Sequence, residues 1–186
     1  MEIRAKERVI FMKCLVFSDS HGYSFFMRRA ISNHPDAEVV FFLGDGLSDL
    51  EDVFSMYPNK KFLAVRGNCD STVIAMGQGI KKTDHIELMG KKIVFTHGDL
   101  YGVKFGIDGL SRLAYDTNAD IILFGHTHSP VSAYIPQEST AEADEAPAEK
   151  PFYIFNPGSV GMLGAPTYGV MTLTDGEPLF SHGSFL

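Results

Sequence analysis

The stretch Cys14–His21, CLVFSDSH, joins four apolar residues to a short polar run holding an aspartate and, two residues on, a histidine. Its apolar part has the length and composition of a buried strand, and its polar part begins where such a strand would leave the core. The same change recurs along the chain. Val39–Leu43 leads into Gly44-Asp45, Phe62–Val65 into Arg66-Gly67-Asn68, Ile93–Phe95 into Thr96-His97-Gly98, and Ile121–Phe124 into Gly125-His126-Thr127-His128. Each run gives way to small or polar residues and then to a group able to bind a metal ion. In open α/β sheets ligands bind just beyond the carboxyl ends of the strands, so the five ends predict one convergent site.

Between the first runs lie helical patterns. Ser24 is read as the cap of a helix carrying Phe25, Phe26, Met27, Ala30 and Ile31. Ser48 with Glu51 is read as a capping box ahead of Leu50, Val53 and Phe54. This β-α-β-α-β opening predicts parallel strands with right-handed crossovers. His85–Leu88 and Lys92–Phe95, joined through Met89-Gly90-Lys91, predict a hairpin. The spacing of Ile107, Leu110, Leu113 and Ala114 predicts a helix over 104–117, and runs at 131–135, 152–155, 168–173 and 179–181 predict a strand-rich end. The layout is α/β with more than one sheet.

The chain of 186 residues and 20.5 kDa suffices for one substantial core, which predicts a single domain over 12–186 with residues 1–11 as an extension. Residues 136–150, PQESTAEADEAPAEK, are poor in large apolar side chains, and they predict a mobile acidic loop between two strands. A net charge of -7 argues against polymeric nucleic acid or an anionic membrane as partner, while a small phosphorylated substrate remains compatible. The apolar stretch Val9–Phe17 is broken by Lys13, so neither a membrane span nor a signal peptide is expected. Two cysteines make no disulfide framework, and they suit a reducing, cytoplasmic setting in which Cys14 packs as a small hydrophobe.

Four of the seven histidines fall at the strand ends, with two aspartates and an asparagine; His34, His85 and His182 lack that context and are read as surface or structural. Singly each signal is weak, since an aspartate after a strand can cap a helix and an H-x-H can be a hydrogen-bonded turn. Their repetition points to a metal site. Imidazole, carboxylate and amide donors without cysteine-rich spacing suit Mn, Fe, Zn or Ni and are unlike a closed structural zinc site. Asp19, His21, Asp45, Asn68, His97, His126 and His128 exceed the needs of one four-coordinate ion. Two ions sharing a carboxylate, about 3.5 to 4 Å apart, would use them all.

In order, D-x-H, G-D, G-N, T-H-G and G-H-T-H resemble the calcineurin-like metallophosphoesterase superfamily, from about Lys13 to the C-terminus. GNCD, THGD, GHTH and Asn156-Pro157-Gly158-Ser159 resemble its small prokaryotic YfcE-like phosphodiesterase branch. The resemblance implies a four-layer αββα sandwich with two mixed β-sheets flanked by helices. It implies Asp19, His21 and His128 on a first ion, Asn68, His97 and His126 on a second, and Asp45 between them. Manganese is taken first among the metals, with nickel, zinc or iron as alternatives. The implied activity is hydrolysis of a small phosphodiester by in-line attack of a hydroxide held between the ions, with Asp45, Asn68 and His97 as catalytic residues. A phosphomonoesterase and a non-catalytic metal-binding scaffold are the rival readings, and relatives imply a homo-oligomer, dimer or tetramer.

Cys69 stands where many members of the superfamily carry a histidine thought to assist the leaving group. The expected consequence is weaker help for a poor alkoxide and a preference for activated or diester substrates. A nucleophilic Cys69 would need a nearby base and a covalent intermediate, which the hydroxide route does not. Arg66, Asp99 and Tyr101 are candidates for support beside the ligands, and the i, i+2 pairs are expected to aim their side chains from extended segments.

Overall fold

The computed structural model describes residues 11–71, 79–136, 150–162 and 165–185. The expected extension, apart from Phe11, and the expected acidic loop, apart from its end residues Pro136 and Lys150, lie outside the described residues. The chain forms β1 (Met12–Phe17), α1 (Ser24–Asn33), β2 (Val39–Phe42), α2 (Leu47–Phe54), β3 (Lys61–Ala64), β4 (Thr83–Leu88) and β5 (Lys91–Thr96). A 3₁₀ turn, Asp99–Tyr101, precedes α3 (Asp108–Thr117), β6 (Ile121–Leu123), β7 (Pro130–Ile135), β8 (Phe152–Pro157), β9 (Thr167–Leu173) and β10 (Leu179–Ser184).

These strands make two five-stranded sheets, ordered β10-β9-β1-β2-β3 and β4-β5-β6-β8-β7. Each is mixed: β1, β2 and β3 run parallel, as do β5, β6 and β8, while β9 pairs antiparallel with β1 and β10, β4 with β5 and β7 with β8. Strand periodicity then sorts the apolar residues into three interfaces. Cys14, Val16, Phe41 and Leu43 meet Ile93, Phe95, Ile121 and Leu123 between the sheets. Their neighbours Leu15, Phe17, Val40 and Phe42 meet Met27, Ile31, Leu50 and Val53 of α1 and α2. Val94, Ile122 and Ile154 meet Leu110, Leu113 and Ala114 of α3. The order is helix, sheet, sheet, helix, the expected αββα sandwich, and it explains why the inner strands read as continuous apolar runs.

Three local expectations are corrected. Ser24 is the first residue of α1 rather than its cap, and Tyr23 occupies the cap position with no side-chain hydrogen bond. Ser48 lies inside α2, whose cap position is Gly46, so the capping box does not form. A distant carboxylate, Asp70, receives the Gly46 and Leu47 N–H groups instead. α3 begins at Asp108, not at residue 104, because Gly102 (φ 63°) and Gly106 (φ 155°) take backbone angles that a right-handed helix excludes. The predicted hairpin is present, with Leu88 opposite Lys91 across the two-residue turn Met89-Gly90.

Candidate metal centre

The carboxyl ends of β1, β2 and β3 in one sheet meet those of β5 and β6 in the other, and backbone bonds join the loops they release. Asp19 N donates to Gly44 O at 2.9 Å, and Gly125 N to His97 O at 3.0 Å. Across the sheets, His126 N donates to Asp19 Oδ2 at 3.0 Å. The chain passes from a buried floor, with Asp19 and His97 at 0% and Asp45 at 3% exposure, to an open rim of His21, Asn68 and His128.

Five of the seven candidate donors have left-handed backbone: Asp19 (φ 56°), His21 (φ 45°), Asp45 (φ 59°), His126 (φ 67°) and His128 (φ 58°). Among the described non-glycine residues only Met89 and Asn118 share that region. The expected extended segments are therefore wrong. An extended chain would continue past the sheet edge, whereas a left-handed residue turns it back so that D-x-H and H-x-H side chains meet the same centre. Such backbone costs on the order of 1–3 kcal/mol per residue and persists where its surroundings over-determine it.

The donors fall into adjoining groups. Ligand atoms of Asp19, His21 and His128 lie within 4.8 Å of one another, as do those of Asp45, His97 and His126. Asp45 also groups with His21 and Cys69, so its carboxylate reaches toward both halves. Asn68 joins the second half, with Oδ1 3.2 Å from His97 Nε2. Its Nδ2 turns the other way and donates to Cys69 Sγ at 3.2 Å, which leaves the amide oxygen facing the centre.

The chemistry of these contacts fits divalent cations. His97 Nδ1–H donates to Leu43 O at 2.8 Å, so the neutral ring presents the Nε2 lone pair to the centre. Around Nε2 stand Asn68 Oδ1, His126 Nδ1 at 3.1 Å and Asp45 Oδ2 at 3.4 Å, lone pairs that only a proton or a cation reconciles. In the other half Asp19 Oδ1 is buried and accepts no hydrogen bond, although His128 Nε2 lies 3.1 Å away and His21 Nε2 3.8 Å. A buried carboxylate oxygen without a donor is costly unless a cation faces it.

Electrostatics follow the same pattern. Burial alone would raise the Asp45 carboxyl, but hydrogen bonds from His97 and from the Cys69 N–H at 2.8 Å outweigh it and hold the group well below the usual carboxylate range. Burial would lower His97, yet Asp45 and Asp19 raise it above its ordinary value. His126 is lowered by burial and by the positive charge of His97 and Lys104. The exposed Cys69 thiol is pushed up by its hydrogen bond to Asp45, then by burial and the carboxylates nearby, which disfavours the thiolate that a nucleophile needs.

Several supporting residues were not singled out as such from the sequence, although Asp70 lies in the GNCD motif and Asn156 and Ser159 in the Asn-Pro-Gly-Ser motif. Asp70 accepts backbone N–H bonds from Asp45 at 2.7 Å and from Gly67 at 2.8 Å. Asp49 accepts from Ser20 Oγ and from Gly22 N at 2.8 Å, bracing the D-x-H turn. Ser159 Oγ donates to Asp19 O at 2.8 Å, and Asn156 Nδ2 donates to Gly125 O at 3.0 Å and Thr127 Oγ1 at 3.1 Å, so the late Asn-Pro-Gly-Ser stretch buttresses loops from both sheets. Of the candidates for support, Asp99 pairs with Lys82, Tyr101 Oη lies 3.0 Å from Thr83 Oγ1, and Arg66 N donates to Lys81 O at 2.9 Å. His182 donates to Asn156 O at 2.8 Å, His34 Nε2 lies 3.0 Å from the Tyr168 hydroxyl, and His85 is exposed.

Comparison with known proteins extends this picture. The chain is 34% identical over 119 residues to the probable metallophosphoesterase YsnB of Bacillus subtilis, covering 63% of this chain and 64% of that one. It is 33% identical over 129 residues to the phosphodiesterase YfcE of Escherichia coli, covering 62% and 59%. The chain thus spans less than two thirds of the length of either relative. In fold it is similar to a Streptococcus pneumoniae protein described as a predicted phosphoesterase (TM-score 0.67, 24% identity, 96% of this chain and 100% of that one). It is equally similar to vacuolar protein sorting 29 of Cryptosporidium parvum (TM-score 0.67, 18% identity, 94% and 98%). The model of the calcineurin-like phosphoesterase superfamily domain matches residues 12–176, from the start of β1 to just past β9, and the chain belongs to that superfamily.

Proposed function

We propose that the protein is a dinuclear metal-dependent phosphoesterase that hydrolyses a small phosphodiester. The observation that carries this reading is a run of adjoining donor groups, Asp19 with His21 and His128, His21 with Asp45, and Asp45 with His97 and His126, with the orphan Asp19 Oδ1 at one end and the opposed lone pairs at His97 Nε2 at the other. Asp19, His21 and His128 would hold one ion, Asn68, His97 and His126 the other, and Asp45 both. When bound, such ions supply the Lewis acidity that activates water and offsets charge on a phosphoryl group. The chain's own part is placement. Leu43 O fixes the His97 ring, Cys69 Sγ turns the Asn68 amide, and the Cys69 N–H anchors Asp45 Oδ1. Manganese heads the proposed metals. The free Cys14 and Cys69 suit a reducing, cytoplasmic setting, and among the described residues no helix is long and apolar enough to cross a membrane.

Position 69 favours the diester. An exposed thiol with a raised pKa is a poor proton donor to an alkoxide, so substrates with good leaving groups are preferred. The relative YfcE is named a phosphodiesterase, which supports the same reading. Turnover of an aryl phosphodiester by the metal-loaded protein is expected to exceed that of the matching monoester; the reverse order would convert the reading to a phosphomonoesterase. The fold likeness to vacuolar protein sorting 29 supports a second reading, a metal-binding scaffold. Two bound ions with turnover of neither ester would favour it.

A further inference from the structure

Asp70 is not among the seven donors, yet its carboxylate accepts four backbone N–H groups. Oδ2 takes Asp45 N at 2.7 Å and Gly67 N at 2.8 Å; Oδ1 takes Gly46 N at 2.8 Å and Leu47 N at 2.9 Å. Three of these groups belong to the turn that presents Asp45, and the fourth immediately precedes Asn68. One side chain therefore ties the backbone of the shared carboxylate to the backbone of the amide donor, through hydrogen bonds strengthened by the acceptor's charge.

The two loops are in direct contact. A Cβ on Gly67 would lie 2.0 Å from Asp45 Oδ1, and one on Gly44 would lie 2.4 Å from Gly67 N. Asp45 (φ 59°) and Gly46 (φ 142°) hold backbone that does not persist without such support. We infer that Asp70 is a positioning residue of the metal centre: it sets the spacing between the Asp45 carboxylate and the Asn68 amide oxygen, and metal affinity depends on it beyond its share in fold stability. The inference rests on the ligand assignment proposed above. A residue that merely capped α2 would change stability and leave metal affinity alone.

Asp70→Asn keeps the shape and replaces one acceptor oxygen with a donor. Whichever way the amide turns, it faces either the Asp45 and Gly67 N–H groups or those of Gly46 and Leu47, so the 45–47 turn is unseated in both cases. Val53→Ala is the comparator, a fully buried position near the C-terminal end of α2 that lies outside both loops and whose truncation lowers stability. Metal-free proteins are titrated with Co(II) and followed by visible absorption. Asp70→Asn is expected to weaken Co(II) binding about 10- to 100-fold, as for other groups that orient metal ligands. Val53→Ala is expected to stay within about twofold of wild type, because it removes no hydrogen bond from either loop. Equal affinity in Asp70→Asn and wild type, or equal weakening in both variants, would overturn the inference. If circular dichroism finds Asp70→Asn unfolded, Asp70→Glu, which keeps both acceptors but displaces them by one methylene, is read the same way. A wild type that binds no Co(II) would instead defeat the metal-centre reading itself.

Discussion

Asn68 and Cys69 are adjacent, and the account gives them opposite weights. The Asn68 amide oxygen faces His97 Nε2 inside the centre, whereas the Cys69 thiol is exposed and its main contribution is the backbone N–H on Asp45. Asn68→Ala is expected to lower turnover by at least about 10- to 100-fold, the scale on which perturbed metal ligation acts. Cys69→Ser retains the N–H and is expected to keep most activity, measured in steady-state assays on proteins of matched metal content. Near-total loss in a folded, metal-loaded Cys69→Ser protein would restore the thiol as a catalytic group. At this scale the sequence was informative about donors, because aspartate, asparagine and histidine after apolar runs are few and chemically distinct. It marked Asp70 and Ser159 only as members of the GNCD and Asn-Pro-Gly-Ser motifs and assigned no role to what holds the donors. Asp49, Asp70 and Ser159 act through backbone partners supplied by other loops, and no local pattern marks a residue whose partners lie in a different element.

At the scale of elements, the loops after β2 and β3 work as one unit because their backbones touch at Gly44 and Gly67. Gly67→Ala would place a methyl carbon 2.0 Å from Asp45 Oδ1 and 2.7 Å from Asp45 N, so one loop must shift. The expected destabilisation is about 1–3 kcal/mol, the usual cost of overpacking, read by denaturant unfolding and accompanied by weaker metal binding. A variant with wild-type stability and wild-type metal affinity would mean that the loops separate freely. The same reasoning explains which elements were legible. The inner strands β1, β2, β5 and β6 were located because their burial on both faces leaves unbroken apolar runs. Helix starts were misplaced because the signals were tertiary: α2 takes its terminal acceptor from Asp70, and α3 waits for a chain that first forms the 3₁₀ turn after His97.

At the scale of the molecule, the centre spans two sheets. Asp19, Asp45 and Asn68 come from the ends of β1, β2 and β3, while His97, His126 and His128 follow β5 and β6 of the other sheet. Ions held by both sets would join the sheets at one edge, in addition to the apolar core between them. Binding at about a hundred times Kd adds about 2.7 kcal/mol to stability. For a chain of this size that corresponds to about 5–10 °C in Tm, so chelation should lower the transition by that amount in scanning calorimetry. An unchanged transition in a protein verified to have lost its metal would mean that the ions add nothing to the stability of the folded state, contrary to this account. The central claim is that Asp45 serves both halves of a catalytic centre. Its most direct test is hydrolysis of an aryl phosphodiester by metal-loaded wild type and Asp45→Asn side by side: the account predicts turnover in the first and loss in the second, and equal rates in the two proteins would contradict it.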